Sequence, residues 1–154
     1  MCFMRFKIAV YFIIFFSSFS FFAHSQINPL ANKICGKWIS KEKNLIIQIY
    51  KHSDDFRSKI LWFKKGDRHK DIHEYVDDKN PDPELRDRKI IGMDIVDGLK
   101  YNEKTNSWEN GKIYDAYHGR FWDSSAVISD EGFLKVTGYW KFKWIGKTIT
   151  FTRM

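Results

Sequence analysis

Apolar and polar residues alternate in short runs along most of the chain, and turn-forming residues separate the runs. The segment 45–50 is rich in β-branched residues, and in the segment 56–63 apolar and basic side chains alternate. Such runs are typical of half-buried β-strands, and the short turn between these two predicts a hairpin. Further extended segments are predicted at 36–39, 90–96, 100–101, 113–116, 120–122, 126–128, 133–140 and 147–154, with turns at 97–98, 102–106, 110–111, 118–119, 123–125 and 130–132.

These segments predict an all-β fold of eight to ten short strands. After residue 25 no apolar stripe has the 3.6-residue period of an amphipathic helix. A β-sandwich fits the same pattern. A small antiparallel up-and-down barrel is favoured, because closure removes unpaired sheet edges and suits a series of hairpins.

Both ends of the chain carry residues suited to closing such a barrel. In the segment 147–154, Arg153 shares a face with the apolar residues Ile149 and Phe151. Trp38 is a suitable partner, because a guanidinium can lie on an indole while its N–H groups reach backbone carbonyls. Gly-x-Trp on the first strand with a basic residue on the last resembles the closure of lipocalins. The alternative is that Trp38 and Arg153 never meet.

Residues 1–25 have the pattern of a secretory signal sequence. Arg5 and Lys7 precede an apolar run at 8–22, and 23–25 contains the small residues that a signal peptidase prefers. Cleavage after Ser25 would leave one domain of 129 residues, 26–154, in the periplasm or outside the cell. The alternative is an uncut membrane anchor, but the apolar run is shorter than the roughly 20 residues of a spanning helix and ends in a cleavage site rather than a cluster of charges. No transmembrane anchor is expected after cleavage.

Charge and cysteine content limit the partners of the mature chain. Its 24 Lys and Arg residues exceed its 19 acids by five, and the bases are scattered among the acids. Nucleic-acid binding is therefore not expected. Cys35 alone remains after removal of the leader, so no internal disulfide can form. We expect Cys35 to be a small buried apolar residue, with a reactive thiol or an intermolecular bridge as the alternative.

The most unusual stretch is 77–89, within a connection too long for an ordinary turn. Pro81 and Pro83 restrict its backbone, and acids and arginines surround them. Arg86 and Arg88 can pair with the nearby acids and fasten the loop to the barrel rim; the acids considered are Asp82, Asp87 and Asp115. The functional alternative is that one of the two guanidinium groups binds an anionic ligand.

Several distinct sequence motifs are distributed along the whole mature chain. They are Gly36-x-Trp38, Asn80-Pro81-Asp82-Pro83-x-Leu85-Arg86-x-Arg88, Ile91-Gly92-Met93, Gly111-Lys112-Ile113-Tyr114-Asp115, Leu134-Lys135-Val136-x-Gly138 and Thr150-Phe151-Thr152-Arg153. Together they resemble the exported bacterial family catalogued as domain of unknown function 2147. The resemblance implies an exported, small β-barrel-like domain and no established chemistry.

No motif predicts catalysis, a metal or a cofactor. The oxygen-bearing series Asp78-x-Asn80-x-Asp82-x-Glu84 has the spacing of a calcium loop, but Pro83 and Lys89 stand where glycine and glutamate are needed. His69 and His73 lie four residues apart without an evident third ligand, so we expect solvated loop histidines.

We therefore predict a non-enzymatic protein that binds a small apolar or amphipathic ligand, or a component of the cell envelope. The many aromatic residues fit either a filled barrel interior or an apolar pocket. The candidate ligand-binding residues are Asn80, Asp82, Arg86, Arg88, Tyr114 and Asp115. One alternative is a protein-interaction module that uses the loop 77–89, and another is an enzyme acting on envelope substrates.

Overall fold

Each extended segment of the chain pairs antiparallel with the next, and the last segment pairs with the first. This arrangement is seen in a computed structural model that describes residues 28–64 and 71–154. The strands are β1 Gly36–Ser40, β2 Leu45–His52, β3 Asp55–Phe63, β4 Asp94–Asn102, β5 Ser107–Asp115, β6 Arg120–Ile128, β7 Leu134–Tyr139 and β8 Lys147–Arg153. Among the described residues they form one closed barrel in the order β1 to β8. The predicted up-and-down barrel is therefore confirmed, with eight strands.

The barrel closes between β1 and β8, where Trp38 pairs with Arg153. The guanidinium carbon of Arg153 lies 4.2 Å from the centroid of the Trp38 ring. Its Nη1 donates a hydrogen bond of 2.8 Å to the carbonyl of Cys35, and its Nη2 donates to the carbonyl of Lys33. The structure thus brings together the two side chains that were chosen from their positions at the ends of the chain.

The end of the barrel where β1 begins is filled. The short 3-10 helix Ala31–Ile34 lies across this end. The indole N–H of Trp38 donates to the carbonyl of Ile34 at 2.8 Å, and that of Trp108 donates to the carbonyl of Ala31 at 3.0 Å. Both indoles are buried with their only donor satisfied. The chain before β1 therefore forms a floor for the barrel, and any interior space lies toward the opposite end.

Three predicted turns lie instead inside long strands. β4 runs through 97–98, β5 through 110–111 and β6 through 123–125. Gly98 and Asn110 have φ angles of 72° and 62°, and the pairing of β5 with β6 shifts register between Trp108 and Gly111. These turn-forming residues therefore mark local irregularities of continuous strands, where positive φ is needed without a change of direction. Ser124 is fully buried, which places 123–125 in the barrel wall.

The predicted strand 90–96 is also partly wrong, because β4 begins only at Asp94. Residues 90–92 form a turn that is tied to β3: the amide of Gly92 donates to the carbonyl of Ile60 at 2.8 Å, and the amide of Met93 donates to the carbonyl of Ile90. The segment is therefore a hydrogen-bonded turn that leads into β4.

Some predictions concern residues outside the described ranges. The signal sequence 1–25 and the cleavage after Ser25 belong to this group, as does His69. Cys35 is described; it is unpaired and half-buried, it packs against the core, and burial raises the pKa of its thiol. No helix in 28–64 or 71–154 combines the length and apolar character needed to traverse a bilayer.

Candidate functional site

The loop 77–89, here called the rim loop, folds back on itself between β3 and β4. Val76 and Lys89 form an antiparallel bridge at its base, and the amide of Asp77 donates to the carbonyl of Arg88 at 2.9 Å. Within the loop, the side chain of Asp82 caps the 3-10 helix Pro83–Leu85 by accepting from the amide of Glu84. The two prolines and the cap therefore produce the ordered turn that their positions suggest.

A buried carboxylate, that of Asp77, organises this loop. One of its oxygens, Oδ1, accepts a hydrogen bond of 2.7 Å from the hydroxyl of Tyr114. The other, Oδ2, accepts from Nδ2 of Asn80 at 2.6 Å and from Nη2 of Arg88 at 2.8 Å. The Asp77 side chain has no exposed surface, whereas 38% of the Arg88 side chain is exposed. A buried charge is tolerated only with such partners, so this cluster fixes the loop to β5.

The predicted ion pairs of the two arginines are wrong in detail. Arg88 pairs with Asp77 instead of Asp82, Asp87 or Asp115, because the bridge at the base of the loop places Arg88 beside Asp77.

Arg86 and Asp115 instead contact residues close to them in the sequence. Arg86 donates through Nε to the carbonyl of Asn80 at 2.9 Å. Asp115 is engaged by its own turn, accepting from the amide of Tyr117 and lying 2.6 Å from Nδ1 of His118.

Asp77 itself was missed as a site residue. The stretch offers several acids, and local sequence does not say which of them is buried. One signal was available: Asp77 lies two residues after Tyr75, so both residues occupy the same phase of an extended segment, and both are buried.

Close packing holds the rim loop against the turn between β5 and β6. Gly119 has φ of 64°, and a Cβ atom there would lie 1.9 Å from the carbonyl oxygen of Lys79. The Tyr114 ring lies 4.8 Å from that of Phe121 and 5.9 Å from the guanidinium carbon of Arg88. Burial, and then the hydrogen bond to Asp77, raises the pKa of the Tyr114 hydroxyl, so this phenol remains a donor.

The interior of the barrel is hollow at the end opposite the floor. A cavity of about 580 Å³ opens there. The residues that line it are mainly aliphatic and aromatic and come from six strands: Leu45, Ile47, Ile60, Ile95, Val96, Ile113, Val136, Ile149 and Phe151. Polar side chains occur among the lining residues of the connections and strand ends: Asp115, His118, Arg120 and Lys147. The arrangement is an apolar chamber with a charged mouth.

The candidate residues divide into two groups around this cavity. Tyr114 and Asp115 are among the residues that line it. The other four, which are Asn80, Asp82, Arg86 and Arg88, are not among them and instead make contacts within the rim loop. The loop thus supports the cavity wall through Tyr114, and its contacts favour the fastening role over direct ligand contact.

Oxygen atoms of the calcium-like series are used by the chain itself. Oδ1 of Asn80 accepts from the amide of Asp82, and Asp82 accepts from the amide of Glu84. In 28–64 and 71–154, no three His, Cys, Asp or Glu residues are grouped as a metal site would require.

Comparison with known proteins adds a family and a fold. Residues 36–153 match the family model described as "Uncharacterized protein conserved in bacteria (DUF2147)". The fold is similar to the solved structure of protein HP1028 from the human pathogen Helicobacter pylori, described as belonging to the lipocalin family. The TM-score is 0.66 at 25% sequence identity, and the match covers 79% of this chain and 82% of that one. No curated protein matches the chain significantly.

Proposed function

This chain belongs to the bacterial family DUF2147, and from that premise we propose that its barrel binds a small apolar or amphipathic molecule in the cavity. The observation that carries the proposal is the hollow end of the barrel, whose walls are aliphatic and aromatic. Small barrels usually fill this space with side chains or hold one small ligand. The cavity volume of about 580 Å³ lies within the range of about 300–1,000 Å³ found for small-molecule sites.

Charges at the mouth favour a ligand with an anionic end. Arg120 and Lys147 line the opening, and within the described ranges neither makes an ion pair. Asp115, the acid that lines the cavity, is instead occupied by His118 and by the amide of Tyr117. A carboxylate or phosphate group held at the mouth by Arg120, with an apolar body inside, satisfies both parts of the site.

The predicted signal sequence supports placing this binding activity outside the cytoplasm. The lipids of a cell envelope combine apolar acyl chains with anionic headgroups, which is the required chemistry. Export and ligand identity are therefore joined in one proposal: an exported carrier or sensor of an acidic amphiphile.

Displacement of a fluorescent fatty acid tests the proposal. We expect saturable, displaceable binding at micromolar concentration. Ile149→Trp places an indole in the cavity and should weaken binding by about tenfold or more, because the space is occupied. Ile149→Leu keeps the volume at the same position and should bind nearly as the wild type does. Absence of displaceable binding to the wild-type protein, or equal binding by a folded Ile149→Trp variant, would refute the proposal.

The anionic end is tested separately. Arg120→Gln with Lys147→Gln should weaken binding of a fatty acid and leave binding of the matching fatty alcohol unchanged, because only the acid carries the charge. Equal losses for both probes would contradict the assignment of the headgroup to these residues.

A further inference from the structure

Large apolar side chains are exposed mainly around the mouth of the barrel. They come from the turn between β5 and β6, from the start of β6 and from the segment between β7 and β8. We call these six residues the aromatic rim: Tyr117, Phe121, Trp140, Phe142, Trp144 and Ile145. Trp144 and Tyr117 are 78% and 77% exposed. Elsewhere in the described ranges, exposed large apolar residues are scattered, and isolated ones need no explanation.

The aromatic rim borders the cavity. In an up-and-down barrel, the β5–β6 and β7–β8 connections leave the same end. The ring of Trp140 lies 5.9 Å from that of Trp122, which lines the cavity, and Ile145 lines it too. Phe142 and Trp144 stack at 4.5 Å with an interplanar angle of 18°. The rim is therefore an ordered surface beside the opening.

The part of the rim between β7 and β8 carries positive charge. The segment 140–147 alternates aromatic residues with Lys141, Lys143 and Lys147, and no acid occurs after Glu131. Lys143 pairs with Glu109 on β5 at 3.2 Å, while Lys141 and Lys147 make no ion pair among the described residues. Indole rings beside lysines are the composition of surfaces that enter the headgroup region of a bilayer.

We propose that the aromatic rim docks the protein onto an anionic membrane surface with the cavity mouth facing the lipid. Charge complementarity selects this occupant. Docking against a second copy by a two-fold axis would bring the same basic surface against itself, which is unfavourable. An anionic bilayer offers apolar depth for Trp140, Phe142 and Trp144 and negative charge for the lysines between them. Membrane docking would depend only on residues of the outer surface and does not require the cavity to bind a ligand.

Vesicle binding tests the inference. The protein, expressed from its full sequence, is sedimented with vesicles of phosphatidylglycerol and phosphatidylcholine or with phosphatidylcholine alone. Mass spectrometry of each preparation ensures that all variants share one N-terminus. We expect binding to the anionic vesicles, weakened by salt, and quenching of tryptophan fluorescence by brominated lipid.

Matched variants assign the surface. Phe142→Ser with Trp144→Ser should reduce binding by about tenfold or more, whereas Phe133→Ser, at an exposed turn of the opposite end, should leave it unchanged. Lys141→Gln with Lys147→Gln should also weaken binding, whereas Lys51→Gln with Lys104→Gln, at the opposite end, should have little effect.

Three results would overturn the inference. They are equal binding by the Phe142/Trp144 and Phe133 variants, no preference for anionic lipid, and wild-type protein that forms dimers through the rim without binding vesicles. Ile149→Trp separates the two proposals, because it blocks the cavity and should leave vesicle binding unchanged.

Discussion

Asp77→Asn tests whether the buried carboxylate holds the rim loop on the barrel. The substitution keeps the size of the side chain, replaces one carboxylate oxygen with an NH2 group and removes the negative charge. In the structure, Oδ1 serves Tyr114 alone, and Oδ2 serves both Asn80 and Arg88. An asparagine can direct its oxygen toward Asn80 and Arg88 and donate an amide N–H to the Tyr114 hydroxyl, which accepts as well as donates. The substitution therefore removes the negative charge of the ion pair with Arg88 at nearly constant shape.

The expected loss follows from this geometry. Removing one partner of a buried ion pair costs about 3–5 kcal/mol of unfolding free energy. Because 38% of the Arg88 side chain is exposed, water can replace part of its interaction, so we expect the lower end, about 3 kcal/mol. A domain of this size loses about 4 °C of Tm per kcal/mol. The Tm should therefore fall by about 12 °C.

Thermal and urea unfolding measure the loss, with Asp123→Asn as the matched control. Asp123 pairs with Lys112 on the barrel surface, where both side chains are well exposed, and its replacement should cost less than about 1 kcal/mol. A double-mutant cycle of Asp77→Asn with Arg88→Met should be strongly non-additive, since the pair acts as a unit. If the Tm and the free energy of unfolding of Asp77→Asn equal those of Asp123→Asn within error, the carboxylate does not hold the loop.

Two further predictions concern a closely packed glycine and two tyrosine hydroxyls. Gly119→Ala should destabilise the protein more than Gly132→Ala: both glycines have positive φ, but only at Gly119 would the new Cβ meet the carbonyl of Lys79, so equal losses would exclude the close packing. Burial, together with a hydrogen bond to a carboxylate, raises the pKa of Tyr50 to about 12 and raises that of Tyr114 as well. The protonated phenols therefore stabilise the fold fully below pH of about 10, their ordinary pKa, and this contribution is lost as the pH rises through the folded-state values. In a pH titration followed by tyrosinate absorbance, two hydroxyls should ionise well above pH of about 10, and each of the variants Tyr50→Phe and Tyr114→Phe should lack one of them. Ionisation of both hydroxyls near pH of about 10 in the folded protein would contradict this.

Alternation along the chain was enough to predict the strands, since each buries one face, and the removal of unpaired sheet edges favoured the barrel over a sandwich. The misassigned turns share one physical cause. Gly98 and Asn110 have the positive φ that turns also use, and sequence alone does not reveal whether such a residue reverses the chain or bends a strand. The pairing of Trp38 with Arg153 was predictable because both ends of a closed barrel must meet.

The site was predictable only in part, because its contacts depend on tertiary placement. Tyr114 and Asp115 were proposed and line the cavity. Asp77 and the correct partner of Arg88 required the bridge between Val76 and Lys89, which no local pattern encodes. The number of aromatic residues could not decide between a filled and a hollow interior. Several of these aromatic residues lie neither in the core nor in the cavity wall but on the outer surface at the mouth, in the aromatic rim.

The contact between Trp38 and Arg153 joins residues 115 positions apart, at nearly opposite ends of the described chain. No N-terminal fragment can complete the ring, since β1 remains an unpaired edge until β8 arrives. The closed ring therefore forms only once β8 has been synthesised, as expected for a topology whose final pairing has a large sequence separation. Until β8 is present, the free edge of β1 can pair with strands of other molecules, so an incomplete chain is exposed to aggregation that the finished barrel avoids.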